Sequence, residues 1–308
     1  MSVIGIDTSN YTTSIAYFDG ESGVNCSRLL PVKPGELGLR QSDAVFAHTK
    51  SLPDLSGRLF SNAEVGKITA VGVSTRPRAV EGSYMPCFMV GYSHAKLLSD
   101  ALGVPLVEVS HQQGHVAASL WSAGHLELMD EPHLAWHLSG GTTELLLVEP
   151  EGKNVKCTKI GGTTDISAGQ LIDRTGVMLD LPFPAGKHVD ALSKEAVLKE
   201  TFKVKCPGME FSLSGVQNKV QQFHQKNGVP AETAAFALRC VASAVYQATQ
   251  NALKAYSGLK VVFSGGVASN SMLREVIAPL YPIFCEPQYS TDNAMGVAVL
   301  THRYTQEG

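Results

Sequence analysis

The feature that most constrains this 308-residue chain is one pattern that occurs three times. A short run of β-type apolar residues ends in a tight turn of glycine or small hydroxyl residues, and regular structure resumes at once. VIGIDTSNYTTSIAYF (3–18) and LAWHLSGGTTELLLVE (134–149) read as strand–turn–strand. KVVFSGGVASNSMLREVI (260–277) reads as a strand, then Gly265-Gly266, then a helix opened by Ser269 and Asn270. One strand–turn–strand unit near the start of each half predicts an internal duplication of two related α/β domains. The polar stretch SAGHLELMDEP (122–132) is the natural boundary, giving residues 1–125 and 126–308. Helical spacing of apolar residues predicts helices over 83–103, stopped by Gly103 and Pro105, over 231–256, and over 294–304.

Apolar residues make up 44% and charged residues 17% of the chain, the balance of a globular protein. A net charge of −3 gives no global attraction to nucleic acid, so an RNA contact needs a local basic patch or a partner. Residues 199–226 are the most basic region, with Lys199, Lys203, Lys205, Lys219 and Lys226. They read as a solvated face or, more sharply, as a surface for an acceptor RNA. Six scattered cysteines with no CxxC argue against a disulfide framework or a cysteine-built zinc site. The opening MSVIGIDTS predicts no signal peptide, and no run approaches a membrane span. The predicted location is the cytoplasm.

Turns of glycine and small hydroxyl residues let backbone N–H groups approach a phosphate closely. Any one of them is also simply a tight turn; three in this order suit a nucleotide cleft between duplicated domains, a pattern that resembles the actin/hexokinase/heat-shock-chaperone superfamily. His111 and His115 stand four residues apart, on one face of a helix, where they could share an ion. A helix with two unrelated histidines is the plainer alternative. The residue after the first is Gln112, so a zinc protease's catalytic glutamate is missing. Asp292 in PQYSTDNAMG is the best candidate for a third ligand, or else a helix N-cap. Asp173 and Asp190, in Gly/Ala-rich surroundings, could accept from a ribose or serve as surface carboxylates.

Read together, these segments resemble the tRNA N6-adenosine threonylcarbamoyltransferase family over roughly residues 3–300. The family's E-T-S is Asp7-Thr8-Ser9, its H-x-x-x-H is His111/His115, and its SGG is Ser139-Gly140-Gly141. A-G-E-A-F-D matches AGQLID ending in Asp173, and P-G-G-x-x-x-D matches PAGKHVD with Gly186 and Asp190. F-S-F-S-G is FSLSG (211–215), G-G-V-x-x-N is Gly265, Gly266 and on to Asn270, and T-D-N is Thr291-Asp292-Asn293.

The resemblance implies two actin-like domains with a nucleotide cleft, and one divalent ion, iron or zinc, held by His111, His115 and Asp292. It implies an adenine nucleotide ligand: threonylcarbamoyl-AMP, ATP or ADP. Ser9 and the turn of Leu138, Ser139, Gly140, Gly141 and Thr142 would hold phosphate. Asp173, Gly186, Asp190, Gly265, Gly266 and Asn270 would surround the nucleoside. The implied reaction transfers a threonylcarbamoyl group to the adenosine next to the tRNA anticodon, with a smaller paralogous subunit and a small ATPase as partners. Departures cluster on the reaction side. The family follows E-T-S with x-D-E, whereas this chain has Asn10, Tyr11 and Thr12, so Tyr11 and Thr12 occupy the places of catalytic carboxylates. Thr142 replaces His or Asn, Ser110 replaces the first His of H-H-x-x-G-H, Arg76-Pro77-Arg78 replaces G-P-G, and residues 35–50 differ. A divergent member follows, with a nucleotide- and metal-binding scaffold or a non-tRNA acceptor as the alternatives.

Overall fold

A computed structural model describes residues 1–9, 11–31, 39–62, 66–197 and 199–306; Asn10 and residues 35–38 of the divergent 35–50 segment lie outside them. Two compact units result. Unit 1 holds Met1–Glu131, Glu149–Cys157 and Asp292–Gly308, and unit 2 holds Pro132–Val148 and Thr158–Thr291. They divide the chain differently from contiguous halves at 125/126, because the C-terminal segment belongs with the first unit.

Unit 1 is built on β1 (Ser2–Ser9), β2 (Thr12–Phe18), β3 (Gly23–Leu29), β4 (Ile68–Arg76) and β5 (Leu106–Ser110). Their order in the sheet is β3-β2-β1-β4-β5. The β1–β2–β3 meander is antiparallel, while β4 runs parallel to both β1 and β5. Every residue of β1 and β2 is buried, which is why their runs are apolar or small throughout rather than alternating. On one face Ile4, Ile6, Val71 and Val73 pack against α1 (Gln41–Asn62) and α2 (Phe88–Leu102) through Leu52, Leu55, Leu59 and Val90. Against the sheet and each other pack α3 (His111–Ser122) and α9 (Met295–Thr305). The predicted helix over 83–103 begins only at Phe88, since Pro86 disfavours helical geometry in the residue before it; it stops at Gly103, which is left-handed at φ 63°.

Unit 2 repeats the same topology. It contains β6 (His133–Leu138), β7 (Thr143–Glu151), β8 (Asn154–Thr163), β9 (Glu210–Phe211), β10 (Val261–Ser264) and β11 (Ile283–Phe284), with the outer ends of β7 and β8 counted in unit 1. The order β11-β10-β6-β7-β8-β9 is that of unit 1 with one strand added at the edge. Its helices are α4 (Ala168–Met178), α5 (Gly186–Ser193), α6 (Ser214–Asn227), α7 (Pro230–Ala255) and α8 (Ser271–Ile277). The predicted helix over 231–256 is α7, opened by Pro230 at its first turn and buried along its length by a run of alanines. Trp136 and Phe263 stack beneath it, and the Trp136 indole N–H donates to Thr249 Oγ1 at 2.9 Å.

One buried group sets a pH limit. His48 on α1 is fully buried, its Nδ1 lies 2.7 Å from Thr13 Oγ1, and its Nε2 has no hydrogen-bond partner among the described residues. Burial, only partly opposed by the charge of Asp7, pushes the imidazole down from 6.5 to about 4. Folding therefore favours the neutral ring. Its contribution is complete above pH 6.5 and is lost as pH falls toward 4, about 3 kcal/mol in all. Thermal melts of the wild type from pH 7 to 4 should fall more steeply than those of His48→Gln; parallel curves would refute the assignment.

Candidate metal centre

His111 and His115 sit on the first turns of α3. Ser110 caps this helix: its Oγ accepts from Gln113 N–H, and Gln113 Oε1 accepts from Ser110 N–H. Asp292 does not cap α9, whose N-cap position is Ala294. It turns instead toward the two imidazoles, while Ala294 N–H donates to Asn25 Oδ1 and Met295 N–H to Asn293 Oδ1. Glycine allows this meeting of helices. A Cβ on Gly296 would collide with the Gly114 carbonyl, so α9 and α3 approach at backbone distance only because residue 296 lacks a side chain.

His111 Nε2 lies 3.0 Å from His115 Nε2 and 3.5 Å from Asp292 Oδ1, and His115 Nε2 lies 3.1 Å from Asp292 Oδ1. Donors about 2.1 Å from a shared ion, at right-angle to tetrahedral spacing, lie roughly 3.0–3.4 Å apart. The three atoms thus have the spacing of one face of a coordination polyhedron, and they form the one such cluster among the described residues. Two imidazoles and a carboxylate suit iron or zinc, and the residues fit the ion the sequence implies.

Asp7 is the residue that sequence reasoning missed in this role. It is fully buried on β1, accepts from Ser74 Oγ, and lies 3.1 Å from His111 Nδ1. An Nδ1–H donated to Asp7 leaves Nε2 free to ligate, the usual carboxylate–histidine–metal arrangement. The available signal was a carboxylate inside a wholly buried strand, which requires a partner. Burial alone lowers the His111 imidazole, but the charges and hydrogen bonds of Asp7 and Asp292 overturn this and push it up to about 10. Burial also opposes the charge on Asp292, yet hydrogen bonds from His111 and His115 hold it well below the usual carboxylate range. The same negative potential favours a cation between the three donors.

Ser9 ends β1 and pairs in register with Thr12, both buried; Tyr11, between them in sequence, is 38% exposed. These three stand at the carboxyl edge of the unit 1 sheet, where β5 leads into His111.

The other predicted residues gather in unit 2. Leu138 ends β6 with its side chain in the core. The turn behind it is closed by Ser139 N–H to Thr142 O at 2.8 Å and Thr142 N–H to Ser139 Oγ at 3.0 Å. Gly265 has φ 92°, and a Cβ there would collide with the Leu138 carbonyl. Gly140, Gly141, Gly186 and Gly266 are different: a Cβ on any of them would meet nothing within 4 Å, and none has a left-handed φ. Neither conformation nor packing within the chain requires glycine at these four positions. Asp173 and Asp190 each have an oxygen engaged by the protein, Asp173 accepting from Ala185 N–H at 2.8 Å and Asp190 from Ser271 N–H at 3.0 Å. Asn270 caps α8 through Leu273 N–H. Asp165, also unpredicted, accepts from Ser212 Oγ, Ser214 Oγ and two backbone N–H groups, which ties the FSLSG segment to the start of α4 and holds its carboxyl down at about 2 despite burial.

The two sheets of like topology, with helices on their faces, define an actin-like α/β fold. Solved structures share it at low identity: the ROK hexokinase from Thermus thermophilus (15% identity, TM-score 0.54, covering 100% of each chain) and HypF from T. kodakarensis (12%, 0.62, 98% of this chain and 47% of that one). The tRNA N6-adenosine threonylcarbamoyltransferase (TsaD) family profile matches residues 37–299. A tRNA N6-adenosine threonylcarbamoyltransferase from Carboxydothermus hydrogenoformans is 33% identical across 98% of this chain and 92% of its own length. The chain belongs to this family. Among the described residues no helix is long and apolar enough to cross a membrane.

Proposed function

We propose that this protein transfers a threonylcarbamoyl group from threonylcarbamoyl-AMP to the adenosine beside the tRNA anticodon, with a divalent ion at His111, His115 and Asp292. What carries the reading is the spacing of those three donor atoms, in a chain of this family. When bound, the ion supplies Lewis acidity and orientation at the carbamoyl carbonyl. The residues around it do the rest. Asp7 fixes the His111 tautomer. Within unit 2 the open glycines Gly140, Gly141, Gly186 and Gly266 leave room for nucleotide backbone contacts, and Ser139, Thr142, Asp173, Asp190 and Asn270 would add polar ones. No nucleophilic side chain is required, because the acceptor amine attacks. The basic 199–226 stretch would face tRNA, and a smaller paralogous subunit and a small ATPase would complete the system in the cytoplasm.

Tyr11 and Thr12 favour a second reading. A phenol and a hydroxyl are weak proton acceptors compared with the carboxylates they replace, so the protein would bind metal and ATP or ADP as a scaffold, or transfer to another acceptor. Metal-loaded protein given labelled donor, unmodified tRNA and the family's partner proteins should label the tRNA. No label, with metal and nucleotide both bound, would sink the first reading; label gained on Tyr11→Asp would trace the loss to that side chain.

A further inference from the structure

The geometry points to Arg76 as the residue that holds the carboxylate of the amino acid carried by the donor, an inference that rests on the donor proposed above. Arg76 is the last residue of β4, the strand between β1 and β5 in the sheet. On one side of β4 stands the strand of Asp7 and Ser9; on the other, Arg76 is paired in register with Ser110, the residue before His111. Pro77, next in the chain, accepts from Gln112 N–H at 3.0 Å, fastening the loop to the first turn of α3. Arg76 thus stands in the sheet between the strand that carries Asp7 and the strand that leads into the helix of the histidines.

The duplication supplies an independent reason to place ligand here. β4 in unit 1 corresponds to β10 in unit 2, since each lies parallel beside the first strand of its sheet. The segment after β10 is Gly265–Asn270, where Gly266 opens into free space; its counterpart after β4 is Arg76-Pro77-Arg78. The same loop position that leaves a neutral opening in one unit carries two guanidinium groups in the other.

Charge balance names the ligand group. Asp7 and Asp292 are each engaged by histidine. Tyr11 and Thr12, on the neighbouring turn, are neutral, and residues 76–87 contain one acid, Glu81, against two arginines. Arg76 is exposed and has no ion pair among the described residues. A planar fork on a residue in register with the one that leads into His111 suits a carboxylate presented beside the carbamoyl group, which it can take in bidentate fashion.

The test uses metal-loaded full-length protein and two unreactive donor analogues, adenosine sulfamates bearing carbamoyl-threonine or its methyl ester, titrated calorimetrically. The wild type should bind the acid roughly 10- to 100-fold tighter than the ester. Arg76→Gln should erase most of that difference with metal content and melting temperature unchanged, and Arg76→Lys should keep part of it. Equal binding of acid and ester by the wild type, or a difference that survives Arg76→Gln, overturns this inference alone. Binding of neither analogue overturns the donor reading and this inference with it. Weaker tRNA binding by Arg76→Gln, with the acid–ester difference intact, assigns the arginine to a phosphodiester and overturns it too.

Discussion

Alanine in place of His111 or Asp292 should leave purified protein with almost none of the metal that the wild type retains after dialysis, measured by elemental analysis. Each removes one of three donors spaced 3.0–3.5 Å apart, and two remaining ligands form a far weaker site. Asp7→Asn should act more mildly. The amide keeps the shape but donates or accepts weakly at His111 Nδ1, so affinity should fall about 10- to 100-fold without the site being dismantled. Unchanged metal in His111→Ala would show that the three donors do not hold an ion. Equal losses for Asp7→Asn and His111→Ala would show that Asp7 ligates directly.

Gly296→Val should destabilise the protein more than any exposed substitution. A side chain there strikes the Gly114 backbone carbonyl, which cannot rotate away, so α9 must lift from α3. The expected cost is about 3 kcal/mol or more, a fall in melting temperature of roughly 6–10 °C, together with loss of metal as Asp292 leaves the histidines. Gly57→Ala on α1 is the control, since a Cβ there meets nothing within 4 Å and alanine favours the helix. A Gly296→Val protein with wild-type melting and full metal would show that the α3–α9 contact does not position Asp292.

Much of this was legible before any coordinates. The duplication was visible because β1, β6 and β10 are runs of almost wholly buried residues, each ending in a small-residue turn, and α7 because its apolar residues recur at helical spacing over 26 residues. α1 was not identified: Pro53 lies inside it and argues against a helix locally, and packing of Leu52, Leu55 and Leu59 overrides that preference. The pairing of His111 with His115 is local and could be read from spacing. Asp292 lies 177 residues from His115; its own surroundings left a third ligand and a helix N-cap both open, and the resemblance favoured the ligand. Asp7 was seen as a motif letter, not as the partner of His111, because nothing in a linear sequence says which face of β1 meets α3. Asp173 and Asp190 were read for a ligand, yet each also braces its own unit, and that second duty depends on contacts with Ala185 and Ser271 that periodicity does not encode.

Unit 1 is interrupted in the chain by all of unit 2, and its last segment begins at Asp292. At ordinary translation speeds the ribosome needs roughly 10–35 s to travel from His115 to Asp292. Throughout that interval the nascent chain carries two histidines and the buried Asp7 without α9 to pack on them. A metal centre at His111, His115 and Asp292 would therefore be a late product of synthesis, completed after unit 2 has been made, and an ion captured earlier by the histidine pair would be held by two ligands instead of three.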